Sequence, residues 1–217
     1  MIDEMLAVRV GEAGVIAVIT IDDASQALPL AQALFEGGVT AIELTLRTPA
    51  ALAAMEAIAS GAPELMIGAG TVLTPGQLGS VRDAGATFAV APGFNAEVVR
   101  AAGELDFPFA PGVMTPSEIE GAYALRCSVL KFYHAGVAGG LSALKALCAP
   151  YAHLGLRFIP LGGVSEDNLG AWLADDLILA VGGSWIAPRS DIARGDWAAI
   201  TGRAAAAVTV RHRERGA

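Results

Sequence analysis

The chain has 217 residues and a net charge of −8, with 54% hydrophobic and only 17% charged residues. An acidic balance argues against a nucleic-acid or anionic-membrane surface, which needs a basic face. No apolar run reaches the ~20 residues of a membrane span, and no low-complexity run or Gly/Ser linker divides the chain, so residues 1–217 read as a single domain.

The N-terminal "MIDEMLAVRVGEAG" is acidic and lacks the basic start of a signal peptide. Cys127 and Cys148 have no metal spacing and are expected to be reduced and buried, which points to the cytoplasm. Short apolar, β-branched runs then recur: "VIAVITI", "AIELTL", "MIGAGT", "FAVAPG", "PFAPGV", "SVLKFYH", "RFIPLGG" and "LILAVGG". They begin near residues 15, 41, 66, 88, 108, 128, 157 and 177. Between them lie Ala/Leu-rich stretches with helical spacing, several ending in Gly as a helix C-cap does. Strand then helix, with continuous apolar strands, predicts a parallel sheet covered by helices. Eight such units predict the α/β class and a single (β/α)8 TIM barrel, with an extra N-terminal helix capping its bottom. The alternative is an open doubly wound sheet, which takes a Gly-rich phosphate loop after its first strand. Here that strand runs into "DDAS" instead. The C-terminal "RHRER" reads as the solvated end of a last helix.

Barrel chemistry gathers at the C-terminal ends of strands. Those positions hold Glu43, Thr45 and Arg47, then Thr71, Pro92 and Gly93, then Lys131 and Tyr133. Gly162, Gly163, Gly182, Gly183 and Ser184 follow. Alternation puts Glu43, Thr45 and Arg47 on one side of their strand, and Lys131 with Tyr133 on one side of theirs. A lysine inside an apolar strand is unusual, because its charge is expensive to bury. A lysine amine attacks a carbonyl only when neutral, which a desolvated site or a neighbouring cation favours. A carboxylate moves the protons of Schiff-base formation, and an arginine fork fits a substrate carboxylate. Together these describe a Schiff-base lyase acting on a 2-keto acid.

Each residue also has a plainer reading. Lys131 can lay its stem on apolar neighbours and reach the surface, and Glu43 with Arg47 can be a rim ion pair. The Gly-Gly turns relieve crowding or cradle a phosphate before a helix start. His134, His153 and His212 show no ligand spacing, so no metal is expected. His134 lies close enough to Lys131 to line the site; the other two read as surface residues.

The blocks "GGVTAIELTLRTPAAL", "IGAGTVLTPGQL", "AGATFAVAPGFN", "PFAPGVMTPSE", "VLKFYHA", "RFIPLGGVSEDNL" and "VGGSWIAP" run from about residue 15 to residue 200. Through them the chain resembles the 2-keto-3-deoxy-6-phosphogluconate (KDPG) / 4-hydroxy-2-oxoglutarate (KHG) aldolase family. These are class I lyases on a trimeric (β/α)8 barrel. The resemblance implies Lys131 as the Schiff-base lysine and Glu43 as the acid/base, working through water. It implies Arg47 and Thr71 as ligands of the pyruvate carboxylate, and Pro92 and Tyr133 as walls of the pyruvyl group. Gly162, Gly163 and Ser184 are implied to hold a distal phosphate or carboxylate. The implied reaction releases pyruvate and an aldehyde, glyceraldehyde 3-phosphate or glyoxylate. It needs no cofactor, and the implied assembly is a homotrimer.

Three departures fall in the distal half of this site. "TIDD" replaces basic residues, so Asp22 and Asp23 are expected to repel a phosphate. "PLGG" puts Leu161 where the family has a hydroxyl, and "KFYHA" puts Tyr133 and His134 beside the lysine. They leave open a pyruvate aldolase for a different 2-keto acid, or a catalytically silent barrel that binds a keto acid or sugar phosphate. A phosphosugar isomerase using Glu43 as base is a further enzyme reading, and it gives Lys131 no task.

Overall fold

A computed structural model describes residues 4–216. A helix, α1 (Glu4–Ala13), precedes the first strand, β1 (Val15–Ile19). A 3-10 turn (Ala24–Gln26) then leads into α2 (Ala27–Glu36). The alternation continues through β2 (Ala41–Thr45), α3 (Ala51–Gly61), β3 (Met66–Gly70), α4 (Pro75–Asp83), β4 (Phe88–Val90) and α5 (Ala96–Glu104). Two very short strands follow, β5 (Phe109–Ala110) and β6 (Gly112–Val113), then α6 (Pro116–Ala124), β7 (Val129–Tyr133) and α7 (Gly140–Cys148). The chain ends with β8 (Arg157–Leu161), α8 (Glu166–Leu173), β9 (Val181–Gly183), α9 (Arg189–Arg194) and α10 (Trp197–Arg215). Thr74, Thr115 and Ser165 each start a helix with a capping box, satisfying amide donors that the first helical turn leaves free. No helix among the described residues is long and apolar enough to cross a membrane.

The strands do not form a closed eight-stranded barrel. They divide into a six-stranded parallel sheet, ordered β5-β4-β3-β2-β1-β9, and a three-stranded parallel sheet, β6-β7-β8. Two prolines account for the breaks. Donors alternate sides along a strand: the Arg157 N–H turns to Ser128 beside β7, and the Phe158 N–H turns to Leu177 on the β9 side. The next donor toward β9 is position 160, a proline with no N–H. Only a bridge between Phe158 and Ile178 joins the sheets there. The expected last strand near residue 177 accordingly begins at Val181. At the other break Gly112 N donates back to Gly93. Position 111 is then the donor facing β7, and it too is proline. Its carbonyl accepts from Lys131 N, so one short extended segment serves both sheets.

Inward-facing side chains stack in layers set by the register. Ile16, Ala41 and Met66 stand side by side, and Val18, Glu43, Gly68 and Phe88 form the layer above. Phe88 fills the room that Gly68 leaves, since a Cβ there would lie 2.3 Å from its ring. Leu6 and Val10 of α1 pack with Ile16, Met66, Phe88, Val129 and Ile159 at the N-terminal end of the strands. The other helices pack against the outward faces in a second, larger core. Cys127 and Cys148 are free and buried, and burial pushes the Cys148 thiol up to about 11. The C-terminal "RHRER" is only partly solvated. Arg215 donates to the carbonyls of Leu173, Ile178 and Leu179.

Candidate active site

Lys131 sits in the middle of β7 and Glu43 in the middle of β2. The two strands belong to different sheets, yet Lys131 Nζ donates to Glu43 Oε1 at 2.8 Å. Both are buried, at 4% and 2% exposure. The plainer reading of Lys131, a stem reaching the surface, therefore fails. So does the Glu43–Arg47 rim pair, because Glu43 bonds to lysine. Burying two charges costs several kcal/mol per ion, which mutual attraction often fails to offset. This is an expensive arrangement for stability alone. Chemically it sets a primary amine against a carboxylate in a site sealed from bulk water.

Three local features hold the pair. The Lys131 amide is anchored on Pro111 O. Gly70, beside Thr45 on the neighbouring strand β3, has no side chain, and a Cβ there would fall 2.1 Å from Glu43 Oε1. The Tyr133 ring centroid lies 5.6 Å from Lys131 Nζ, within cation–π range.

Arg47 lies beyond the end of β2, in a turn, and is exposed. Its Nε donates to Thr45 Oγ1 at 3.1 Å. Thr45 in turn donates to Ile19 O and bonds Thr20 Oγ1. This relay fixes the guanidinium by one nitrogen and leaves the two Nη groups without partners among the described residues. Thr71 follows β3 with φ 63°, a left-handed conformation that is a genuine outlier for a β-branched residue. Pro92 packs its carbonyl carbon 2.3 Å from where a Gly112 Cβ would be. Gly162 and Gly163 both have positive φ, 87° and 80°. The exposed His134 ring lies against Tyr133, centroids 4.0 Å apart and tilted by 37°, with Nδ1 2.3 Å from a would-be Gly162 Cβ. The Tyr133–His134 peptide is cis. Trp185 folds back over Gly183, where a Cβ would lie 1.7 Å from its ring.

A cleft of about 530 Å³ opens over the ends of β1, β2 and β9, lined by Thr20, Arg47, Val164, Ser184, Trp185 and Arg189 among others. It joins Arg47 and Ser184 directly. Its floor residue Val18 neighbours Glu43 across β1 and β2. Lys131, Glu43, Thr71, Pro92, Tyr133, Gly162 and Gly163 are not in its lining. A larger cavity, about 790 Å³, lies at the other end of the strands between α1, Val129 and Arg157 and holds none of these residues. The smaller one approaches the Lys131–Glu43 pair through Val18, the β1 neighbour of Glu43. Sequence reasoning missed Thr45 and Thr20 as the anchor of Arg47, and it missed Arg189. Thr45 is two positions from Arg47, but Thr20 lies 25 positions before Thr45 and Asp22 lies 167 before Arg189, so no local pattern marked these links. Among the described residues no group of three or more His, Cys, Asp or Glu side chains is arranged to hold a metal ion.

Known proteins resemble this chain in sequence and in fold. The family model "KDPG and KHG aldolase" matches residues 6–203. A 2-dehydro-3-deoxy-phosphogluconate aldolase of Pseudomonas aeruginosa is 44% identical over 189 residues, 87% of this chain and 85% of that protein. A KHG/KDPG aldolase of Escherichia coli is 41% identical over 194 residues, 89% of this chain and 90% of that protein. Among solved structures, a KDPG aldolase of Legionella pneumophila holding pyruvate as a covalent carbinolamine superimposes with TM-score 0.88. It shares 40% identity and covers 93% of this chain and 97% of that one. With the family matched over nearly all of its length, the chain belongs to the KDPG and KHG aldolases, class I carbon–carbon lyases.

Proposed function

We propose that Lys131 is the Schiff-base nucleophile and Glu43 its acid/base partner, in an enzyme that cleaves a 4-hydroxy-2-keto acid to pyruvate and an aldehyde. The observation that carries this reading is the buried 2.8 Å contact between them. The Lys131 amine adds to the C2 carbonyl to give a carbinolamine, which loses water to a protonated imine. Glu43, through a water, removes the C4 hydroxyl proton as the C3–C4 bond breaks. The bond's electron pair flows into the imine and leaves an enamine. The aldehyde departs, C3 takes a proton from Glu43, and hydrolysis frees pyruvate and the amine. The electron sink is the imine itself, so no cofactor enters the scheme.

The free Nη groups of Arg47 suit the pyruvate carboxylate, with Thr71 beside it. Pro92 and Tyr133 wall the methyl group, and Gly162, Gly163 and Ser184 meet the far end of the substrate. The relatives' names support 2-dehydro-3-deoxy-6-phosphogluconate, giving glyceraldehyde 3-phosphate, and 4-hydroxy-2-oxoglutarate, giving glyoxylate, as substrates. A related 2-keto acid is the second reading. It is favoured by Leu161, whose methyl group packs on Gly182 where the family has a hydroxyl. We further take residues 1–217 as one domain, supported by the single family model across residues 6–203, and take the protein as a cytoplasmic homotrimer on the family resemblance. Pyruvate release from each of the two substrates, measured with a lactate dehydrogenase couple, tests the assignment. Cleavage of either one supports it, and cleavage of neither directs attention to another 2-keto acid.

A further inference from the structure

Asp22 follows β1 and Arg189 opens α9, and the two meet at the mouth of the cleft. Arg189 Nε donates to Asp22 Oδ2 at 2.6 Å, and Nη2 donates to Oδ1 at 2.5 Å. This fork holds the Asp22 carboxyl below its ordinary range and raises Arg189. Asp23 is turned away, accepting from Ser25 N at the following 3-10 turn. Both aspartates expected to repel a phosphate are thus engaged, Asp22 by a guanidinium and Asp23 by a backbone amide. One carboxylate is neutralised and the other is committed to a cap.

The Asp22–Arg189 pair is too exposed, at 48% and 62%, to contribute much to stability. What it fixes is one edge of the guanidinium. Arginine has five N–H donors fixed in one plane. Asp22 occupies the Nε/Nη2 edge, so the Nη1/Nη2 edge has no partner among the described residues. Arg189 lines the cleft and Asp22 does not. That lining includes two arginines, Arg47 and Arg189, and no acidic side chain.

We propose that Arg189, oriented by Asp22, binds an anionic group at the far end of the substrate. The inference rests on the Lys131 reading, which fixes where the pyruvyl end lies. Asp22 is a positioning residue and acts only through Arg189. The chemistry required of the ligand is a pair of anionic oxygens matching one guanidinium edge, which a phosphomonoester and a carboxylate both provide.

The test uses the full-length protein and three substrates: 2-keto-3-deoxy-6-phosphogluconate, its unphosphorylated counterpart, and 4-hydroxy-2-oxoglutarate. The readout is kcat/KM for each anionic substrate divided by that for the unphosphorylated one. Arg189→Gln is expected to lower this ratio about 10- to 100-fold, through KM. Asp22→Asn is expected to lower it about 3- to 10-fold, with Asp22→Glu restoring it. A fall confined to the phosphorylated substrate assigns a phosphate, and a fall for both assigns any far anion. A ratio unmoved in Arg189→Gln, or raised in Asp22→Asn, overturns the proposal and leaves Arg189 as a counter-ion only. So does a wild-type protein that cleaves neither anionic substrate. Borohydride trapping of pyruvate on the wild-type protein separates the two levels. No adduct at Lys131 sinks the Lys131 reading, whereas an adduct with an unmoved ratio sinks only the role of Arg189.

Discussion

The Glu43 carboxylate fills the space in which a side chain at Gly70 would begin, its Oε1 lying 2.1 Å from the position of an added Cβ. The clash is with the tip of a flexible side chain, so Gly70→Ala displaces the carboxylate rather than the strand. Misplacing a catalytic group by about 1 Å costs on the order of 100-fold in rate. The variant is expected to keep its circular dichroism spectrum and to lose kcat by about that factor. Wild-type turnover in Gly70→Ala would remove the requirement for Glu43 at this point.

Thr71 separates activity from stability. Its φ of 63° costs an L residue roughly 1–2 kcal/mol that glycine does not incur. Thr71→Gly is therefore expected to raise the urea midpoint by an amount equivalent to about 1 kcal/mol. It is also expected to lower kcat/KM about 10-fold or more, as the hydroxyl proposed to bind the pyruvate carboxylate is lost. A variant that loses both activity and stability would contradict the strained-backbone account.

The Lys131–Glu43 pair predicts a non-additive cycle. Lys131→Ala removes one member and leaves a buried carboxylate alone, a change that costs about 3–5 kcal/mol in buried pairs. Adding Glu43→Gln to that variant is expected to return much of the loss. Equal denaturation midpoints for Lys131→Ala and the double variant would mean that Glu43 does not depend on the lysine in the folded state.

Asp191 supplies the pH dependence. Burial pushes its carboxyl up, but bonds and attraction from Arg203, with Arg194 and Ser190 adding, more than offset this and hold it below its ordinary 3.8. A depressed folded-state value stabilises the fold above the unfolded value and is lost as pH falls through the folded one. The wild type is thus expected to lose stability as pH drops below about 4. Asp191→Asn should be less stable at neutral pH and show a flatter decline in acid. Parallel melting-temperature curves for the two proteins between pH 6 and 3 would contradict this.

Much of the fold was legible because parallel strands buried on both faces read as continuous apolar runs. "AIELT" and "MIGAG" begin where the strands do. Sheet closure was not. "PFAPGV" and "RFIPLGG" show their prolines openly, but which neighbour loses a hydrogen bond depends on the side each N–H faces. That is set by pairing with β7 and β9, not by local sequence. The site divides in the same way. Lys131 stood out as a charge in an apolar strand, and "ELTLR" put Glu43, Thr45 and Arg47 on one side of theirs. The expected alternation stopped at Thr45, because β2 ends there and Arg47 sits in a turn held by the Thr45–Ile19 contact. Arg189 was hidden because its partner Asp22 is 167 positions away. Taken alone, "TIDD" looked repulsive to anions.

The central claim is that Lys131 forms the covalent bond to substrate. The protein is incubated with pyruvate and borohydride, digested, and searched by mass spectrometry for a reduced pyruvyl adduct. The account predicts one adduct, on Lys131, absent when borohydride is omitted and absent in Lys131→Ala. An adduct on Lys145 instead, or none on either lysine, would contradict it.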